Sequence, residues 1–218
     1  LENAGDTEAT AAERAGIYLE LQNYDGFITC VEQAVNYAKT NSINITDWAT
    51  QMVRVLYFTG RRGAYPIPVV VEAQGIICDN VDGLDEETHI RRIEVLARSE
   101  GVDLKAIDHA IDRAIEQHPD ALVNFYRYAI IVLTDSRILQ QTANPKSPDA
   151  PERALIPTSR EQTLARFAIA SAVTNDAAKA KVGPEDRAVI LALQYRTLAS
   201  ALDYGVLTEV PDAQEMVA

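Results

Sequence analysis

The apolar residues of this chain recur every three or four positions, in successive segments that are separated by short breaks. The first segment contains Ala15 and Leu19, and the second contains Val31 and Ala34. This spacing places the apolar side chains on one side of an α-helix. Residues 23–26 are too few to carry the chain elsewhere, so the spacing predicts two antiparallel helices packed as a hairpin.

The segment 65–71 is ambiguous between a helix and a strand. Pro66 and Pro68 cannot both occupy the first position of a helix, and the three valines that follow favour a strand. The continuation to Cys78 keeps helical spacing, and a single strand would have no pairing partner elsewhere in the sequence. We therefore predict a proline-led helix at this position.

Helical spacing continues along the rest of the chain and predicts an all-α protein of about eight or nine helices, arranged as stacked antiparallel hairpins. Asp85 follows a turn-rich acidic loop and is predicted to cap the helix after it. Residues 144–157 are rich in proline and poor in apolar residues, which is typical of a long surface loop. The predicted organisation is a hairpin region at 1–143, this loop, and a C-terminal helical hairpin at 158–207 packed on the first region.

The net charge of −12 limits which partners the chain can attract. A diffuse negative field repels polyanions, so we expect no nucleic acid and no anionic membrane surface as partners. Because there is no run of about 18 apolar residues, we also expect no membrane span.

The sequence leaves the cellular compartment open. The chain opens on Leu1 rather than Met, which fits a processed or trimmed N-terminus, and a removed signal peptide would leave no trace. Cys30 and Cys78 fit two buried thiols in the cytoplasm, and they also fit a disulfide in the periplasm or outside the cell.

No pattern in the sequence indicates catalysis. The three histidines form no helical pair of the kind that zinc hydrolases use. Glu86 and His89 have the spacing of one Glu-x-x-His pair of a di-iron bundle, but a second pair is missing, so we interpret them as solvated first-turn residues. Glycine-rich phosphate loops and nucleophile elbows are also missing. We therefore predict a protein that is not an enzyme, with no catalytic, cofactor-binding or metal-binding residues.

The first hairpin resembles the tetratricopeptide repeat. Within residues 15–35, Ala15 occupies a small position of that pattern and Tyr18 a large one, although Phe27 is larger than the family's usual residue. The turn at 56–65 is similar to the same motif, but the prolines that follow depart from it.

Residues 101–119 are similar to the second helix of that repeat and its exit proline, with one residue inserted. The resemblance covers roughly the first 120 residues and implies an α-solenoid whose inner surface holds a peptide or protein partner. An ordinary helical bundle needs similar patterning, and so both architectures remain open.

Aromatic and arginine side chains are the candidates for partner binding. Neighbouring aromatic residues on one helix cannot all face the same core, and arginine can pair with a partner's carboxylate. The candidates are Tyr18, Arg54, Tyr57, Arg61, Arg62, Arg91 and Tyr126. The leading hypothesis is a non-enzymatic protein–protein interaction or scaffold protein. The alternative is a structural subunit of a larger assembly, and homo-oligomerisation is left open.

Overall fold

A computed structural model describes residues 8–61, 63–99, 101–135 and 160–206. Over these ranges every regular element is helical and no strand is present, which confirms the all-α class and the expected number of helices. The helices are α1 (Glu8–Glu20), α2 (Tyr24–Asn41), α3 (Thr46–Arg61), α4 (Ile67–Asn80), α5 (Glu86–Arg98), α6 (Leu104–Gln117), α7 (Leu122–Leu133), α8 (Arg160–Lys179) and α9 (Pro184–Asp203).

The chain divides into two compact units, Leu1–Arg92 and Ile93–Ala218, with the division inside α5. The predicted loop at 144–157 lies outside the described residues. The domain boundary that we expected at this loop therefore remains a prediction.

In the first unit, α1 packs along α2, while α4 packs against both α2 and α3. Residues 21–23 connect α1 to α2, so the predicted turn at 23–26 begins earlier in the chain. Gly26, the third residue of α2, passes close to α1, because an added Cβ would lie only 3.1 Å from the ring of Tyr18. The side chain of Asn23 caps α2 by accepting a hydrogen bond from the Gly26 N–H, with a distance of 3.1 Å. The predicted first hairpin is therefore formed.

The proline-led helix is confirmed. Pro66 is the residue just before α4, and Pro68 is the second residue of the helix. Because the first N–H groups of a helix have no acceptor within it, prolines at these positions remove no hydrogen bond. The Pro66 carbonyl accepts the N–H of Val70 at 3.2 Å, and the helix continues through Cys78.

In the second unit, α8 packs against α6, α7 and α9, and α7 also packs against α6 and α9. Pro119 starts a short 3₁₀ turn that leads directly into α7. Phe167, Ala201 and Val206 form one buried cluster of this unit. In the first unit, Cys30 and Cys78 are both buried thiols with no disulfide between them.

We expect Asp85→Ala to lower the free energy of unfolding by about 1 kcal/mol. Asp85 caps α5 as predicted, since its carboxylate accepts the N–H of Thr88 at 2.7 Å. Asp85→Asn keeps an acceptor at the same position and should retain most of the stability. Urea denaturation followed by circular dichroism measures both variants. An alanine variant as stable as the wild type would contradict this role.

Candidate functional site

Tyr57 and Phe58 lie side by side on α3 but point in different directions. Tyr57 is buried, whereas Phe58 is 43% exposed. Their rings meet edge to face, with centroids 5.2 Å apart. Since consecutive residues on a helix point about 100° apart, only one of the two rings can enter the core.

Arg91 connects α5 to this aromatic pair. Its guanidinium carbon lies 6.0 Å from the ring centroid of Tyr57 and 5.8 Å from that of Phe58. Although charged, Arg91 is buried, and its Nη2 donates a hydrogen bond to Oε1 of Glu87. A cation at this distance from two rings is attracted to both. The Phe58 ring is thus held in position although much of its surface faces solvent.

Phe58 belongs to an exposed surface of α3 that we call the α3 face, formed by Arg54, Val55 and Phe58. Val55 is 45% exposed, and Arg54 lies on the solvent side one turn before Phe58. Residues spaced by three and four on a helix are neighbours, so these three side chains form one patch. The α3 face combines an aromatic ring, an aliphatic side chain and a cation.

The structure brings together only part of the predicted binding set. Tyr57 and Arg91 are in contact, and Arg54 is on the same helix as Tyr57. Tyr18 is half-buried against the turn after α1. Tyr126 is half-buried on α7 and belongs to the other unit.

Two of the predicted residues cannot be placed. The side chain of Arg61 and the whole of Arg62 lie outside the described part of the chain. Their assignment to the binding set remains a prediction. Phe58, which the candidate set omitted, is the most exposed aromatic side chain on α3.

The interpretation of Glu86 and His89 as solvated is wrong for His89. His89 is only 1% exposed, and the neighbouring Thr88 is also buried. Both residues lie in the first turn of α5, on the side of the helix that enters the core. Polar residues are common at helix starts whether the start is buried or exposed. The sequence pattern alone therefore could not distinguish a buried His89 from a solvated one.

Arg92, the neighbour of the predicted binding residue Arg91, was not among the candidate residues and is another buried polar residue of α5. Its side chain is buried, and its Nη1 donates a hydrogen bond to the carbonyl oxygen of Val71 on α4. Burial lowers the pKa of Arg92, while the charges of Cys78 and Asp79 oppose that shift. The sequence feature that could have indicated this burial is Gly75 in α4, because a Cβ there would lie 2.9 Å from Nη2 of Arg92.

Arg166 on α8 is the most deeply buried charged side chain among the described residues of the second unit. Its Nη2 donates to the Val132 carbonyl oxygen at 2.9 Å, but its Nε and Nη1 have no hydrogen-bond partner within the described part of the chain. The pKa of Arg166 is lowered to about 10, mainly by burial and also by the charge of Arg98, while the charge of Asp135 opposes the shift. Incomplete pairing of a buried cation is energetically costly. No residue pattern around position 166 predicts this burial.

Three aspartates lie near Tyr126 in the second unit: Asp108, Asp112 and Asp176. Burial raises the pKa of Asp108, and the charges of Asp176, Asp112 and Asp103 raise it further. The pKa of Tyr126 is raised by burial and by Asp112, Asp176 and Asp108. The surroundings of Tyr126 are therefore negative, unlike those of the α3 face.

Within the described ranges, no three His, Cys, Asp or Glu side chains come close enough together to hold a metal ion. None of the helices described here has both the length and the apolar character needed to cross a bilayer.

Comparison with known proteins adds no relative. The chain matches no protein-family model, and neither a curated protein nor a solved structure is significantly similar to it. The resemblance to the tetratricopeptide repeat therefore remains a prediction.

We expect Arg166→Met to raise the free energy of unfolding by about 1 kcal/mol at neutral pH. The substitution removes a desolvated charge, and the Val132 carbonyl still accepts the N–H of Asp135 at 3.3 Å. Arg166→Ala serves as the comparison, because it also removes the charge but leaves a cavity. A methionine variant that is less stable than the alanine variant would contradict this account.

Asp108→Asn should raise the melting temperature at pH 7. Because the folded-state pKa is raised above the ordinary value of 3.8, the charged carboxylate destabilises the folded chain at neutral pH. This penalty decreases as the pH falls through the folded-state pKa and disappears below 3.8. The advantage of the variant should disappear over the same range in a pH series of thermal melts. Asp120→Asn, at an exposed position outside this group, is the control.

Proposed function

We propose that this protein is a non-enzymatic interaction or scaffold protein that holds a peptide or protein partner on its α3 face. The observation that carries the proposal is Phe58, an exposed aromatic ring fixed by contacts with Tyr57 and Arg91. A ring that is already held in place loses little conformational freedom on binding, so more of its contact energy contributes to affinity.

The neighbouring side chains support the same proposal. Aromatic and arginine residues are enriched among the residues that contribute most to binding at protein interfaces. Val55 extends the apolar surface next to Phe58, and Arg54 supplies a cation one turn away. The matching partner would present an apolar side chain close to a carboxylate.

The position of the α3 face is compatible with the resemblance described above. In a series of hairpins that starts with α1, the helices α3 and α5 are the first members of the second and third hairpins. The resemblance implies that the inner surface of the stacked hairpins holds the partner. Phe58 and Arg91 come from these two helices.

We expect a random peptide library displayed on phage, selected on the full chain, to yield binders that depend on Phe58. Phe58→Ala should weaken binding of the selected peptides by at least about tenfold, measured by calorimetry with synthetic peptides. Arg54→Glu should weaken binding of those selected peptides that contain a carboxylate. Because Phe58 and Arg54 are exposed, both variants should keep the wild-type circular dichroism spectrum.

Ile43→Ala is the matched control, since Ile43 is 38% exposed in the same unit but lies outside the α3 face. This variant should bind the selected peptides as the wild type does. Selected peptides that bind Phe58→Ala and Ile43→Ala equally well would contradict the proposal.

The alternative function, a structural subunit of a larger assembly, is supported by a different surface. That surface lies on α9 in the second unit, and it does not include any residue of the α3 face.

A further inference from the structure

The outer side of α9 carries a row of exposed apolar residues. Leu191 is 57% exposed, Tyr195 is 76% exposed and Leu202 is 62% exposed. Ala188 lies three residues before Leu191, and Leu198 lies between Tyr195 and Leu202. We call these five residues the α9 seam: Ala188, Leu191, Tyr195, Leu198 and Leu202.

The α9 seam points away from the interior of its own unit. The buried residues of α9 are Ile190, Leu193, Thr197 and Ala201, which lie on a different side of the helix. Leu198 is at the edge, half-buried against the cluster around Phe167. Packing among the described residues of the unit therefore does not account for the other apolar residues of the seam.

Charged residues are almost missing from this part of α9. Between Arg187 and Asp203 the one charged residue is Arg196, although 24% of the chain is charged. The Nε of Arg196 donates to the hydroxyl of Thr134, near the end of α7, at 3.2 Å. A solvent-facing helix side normally carries charges, so an uncharged apolar row indicates a surface that another helix covers.

We propose that a second copy of this chain covers the α9 seam, with the two α9 helices antiparallel about a two-fold axis. The spacing of three, four, three and four residues is that of the a and d positions of a coiled coil. A second copy has a seam of the same period and length. The seam of one copy can therefore pack against the seam of another in a symmetric dimer.

The helix dipole favours the antiparallel arrangement. Antiparallel packing places the partly positive start of each α9 beside the partly negative end of the other, whereas parallel packing places like ends together.

The absence of charge along the seam also suits self-association of an acidic chain. Two copies that each carry −12 repel one another over most of their surface. Contact through an uncharged strip keeps most of the acidic side chains of both copies in solvent. The seam extends over about 20 Å of helix, which is short for an interface, so we expect a weak dimer.

Sedimentation velocity over a concentration series tests the proposal. The wild-type chain should shift from monomer to dimer as its concentration rises through the micromolar range. Leu191→Glu and Tyr195→Glu should each weaken dimerisation by at least about tenfold, because each places a charge within the seam. Both residues are exposed, and the circular dichroism spectra of the variants should match the wild type.

Leu21→Glu is the matched control, since Leu21 is 70% exposed, directly follows α1 and lies outside the seam. It should dimerise as the wild type does. A chain that stays monomeric at all concentrations overturns the proposal, as does a dimer that neither seam variant weakens. Because the test uses no peptide and no residue of the α3 face, its result is independent of the proposed function.

Cysteine crosslinking tests the orientation of the two helices. In the antiparallel pair, Leu191 of one copy lies at the height of Leu202 of the other. A mixture of Leu191→Cys and Leu202→Cys chains should therefore form the mixed disulfide faster than either chain forms a disulfide with itself. Faster formation of the two self-disulfides would contradict the antiparallel arrangement.

Discussion

Residues 21–23 alone join α1 to α2, and so short a connection obliges the second helix to return along the first. The same constraint applies between α8 and α9, which only four residues separate. In each hairpin one side of every helix turns inward, and its outer side must meet either solvent or another molecule. The composition of the outer sides therefore bears on function. Among the described helices, α3 and α9 each expose more than one large apolar side chain, whereas α1 and α7 each expose one, Ile17 and Tyr128.

Buried arginines join neighbouring helices, and one of them also contacts the α3 face. The guanidinium of Arg91 contacts the ring of Phe58, and Arg92 joins α5 to α4 through a hydrogen bond to the Val71 carbonyl. Arg166 joins α8 to α7 by the same kind of bond to a main-chain carbonyl. In each case a long side chain reaches a neighbouring helix without needing a short contact between the two backbones. The cost is a desolvated charge, as the lowered pKa values of Arg92 and Arg166 indicate.

Local features of the fold could be predicted from the sequence because their causes are local. Apolar spacing places the helices, and the prolines at 66 and 68 are tolerated because they fall at a helix start. The start of α3 combines a local contact with a distant one. The side chain of Asn44 accepts the Thr46 N–H at 2.9 Å, while the Thr46 hydroxyl donates to the Asp82 carbonyl at 3.1 Å. The partner of Thr46 is distant in sequence, so spacing could not reveal it.

The burial of individual side chains likewise depends on which helices pack together. This applies to the buried His89, Arg92 and Arg166, and to the exposure of Phe58 rather than Tyr57.

In the cell, we expect the outer side of α3 to be covered by a peptide or protein partner and the outer side of α9 by a second copy of the chain. Hydroxyl-radical footprinting of the protein tests this claim most directly, once as dilute purified chain and once in extract of the cells that make it. The account predicts that Phe58, Leu191 and Tyr195 react readily in the dilute chain and become protected in the extract. Ile43 and Leu21, which are exposed outside both surfaces, should react equally in the two samples. Equal reactivity of Phe58 and Tyr195 in both samples would contradict the claim.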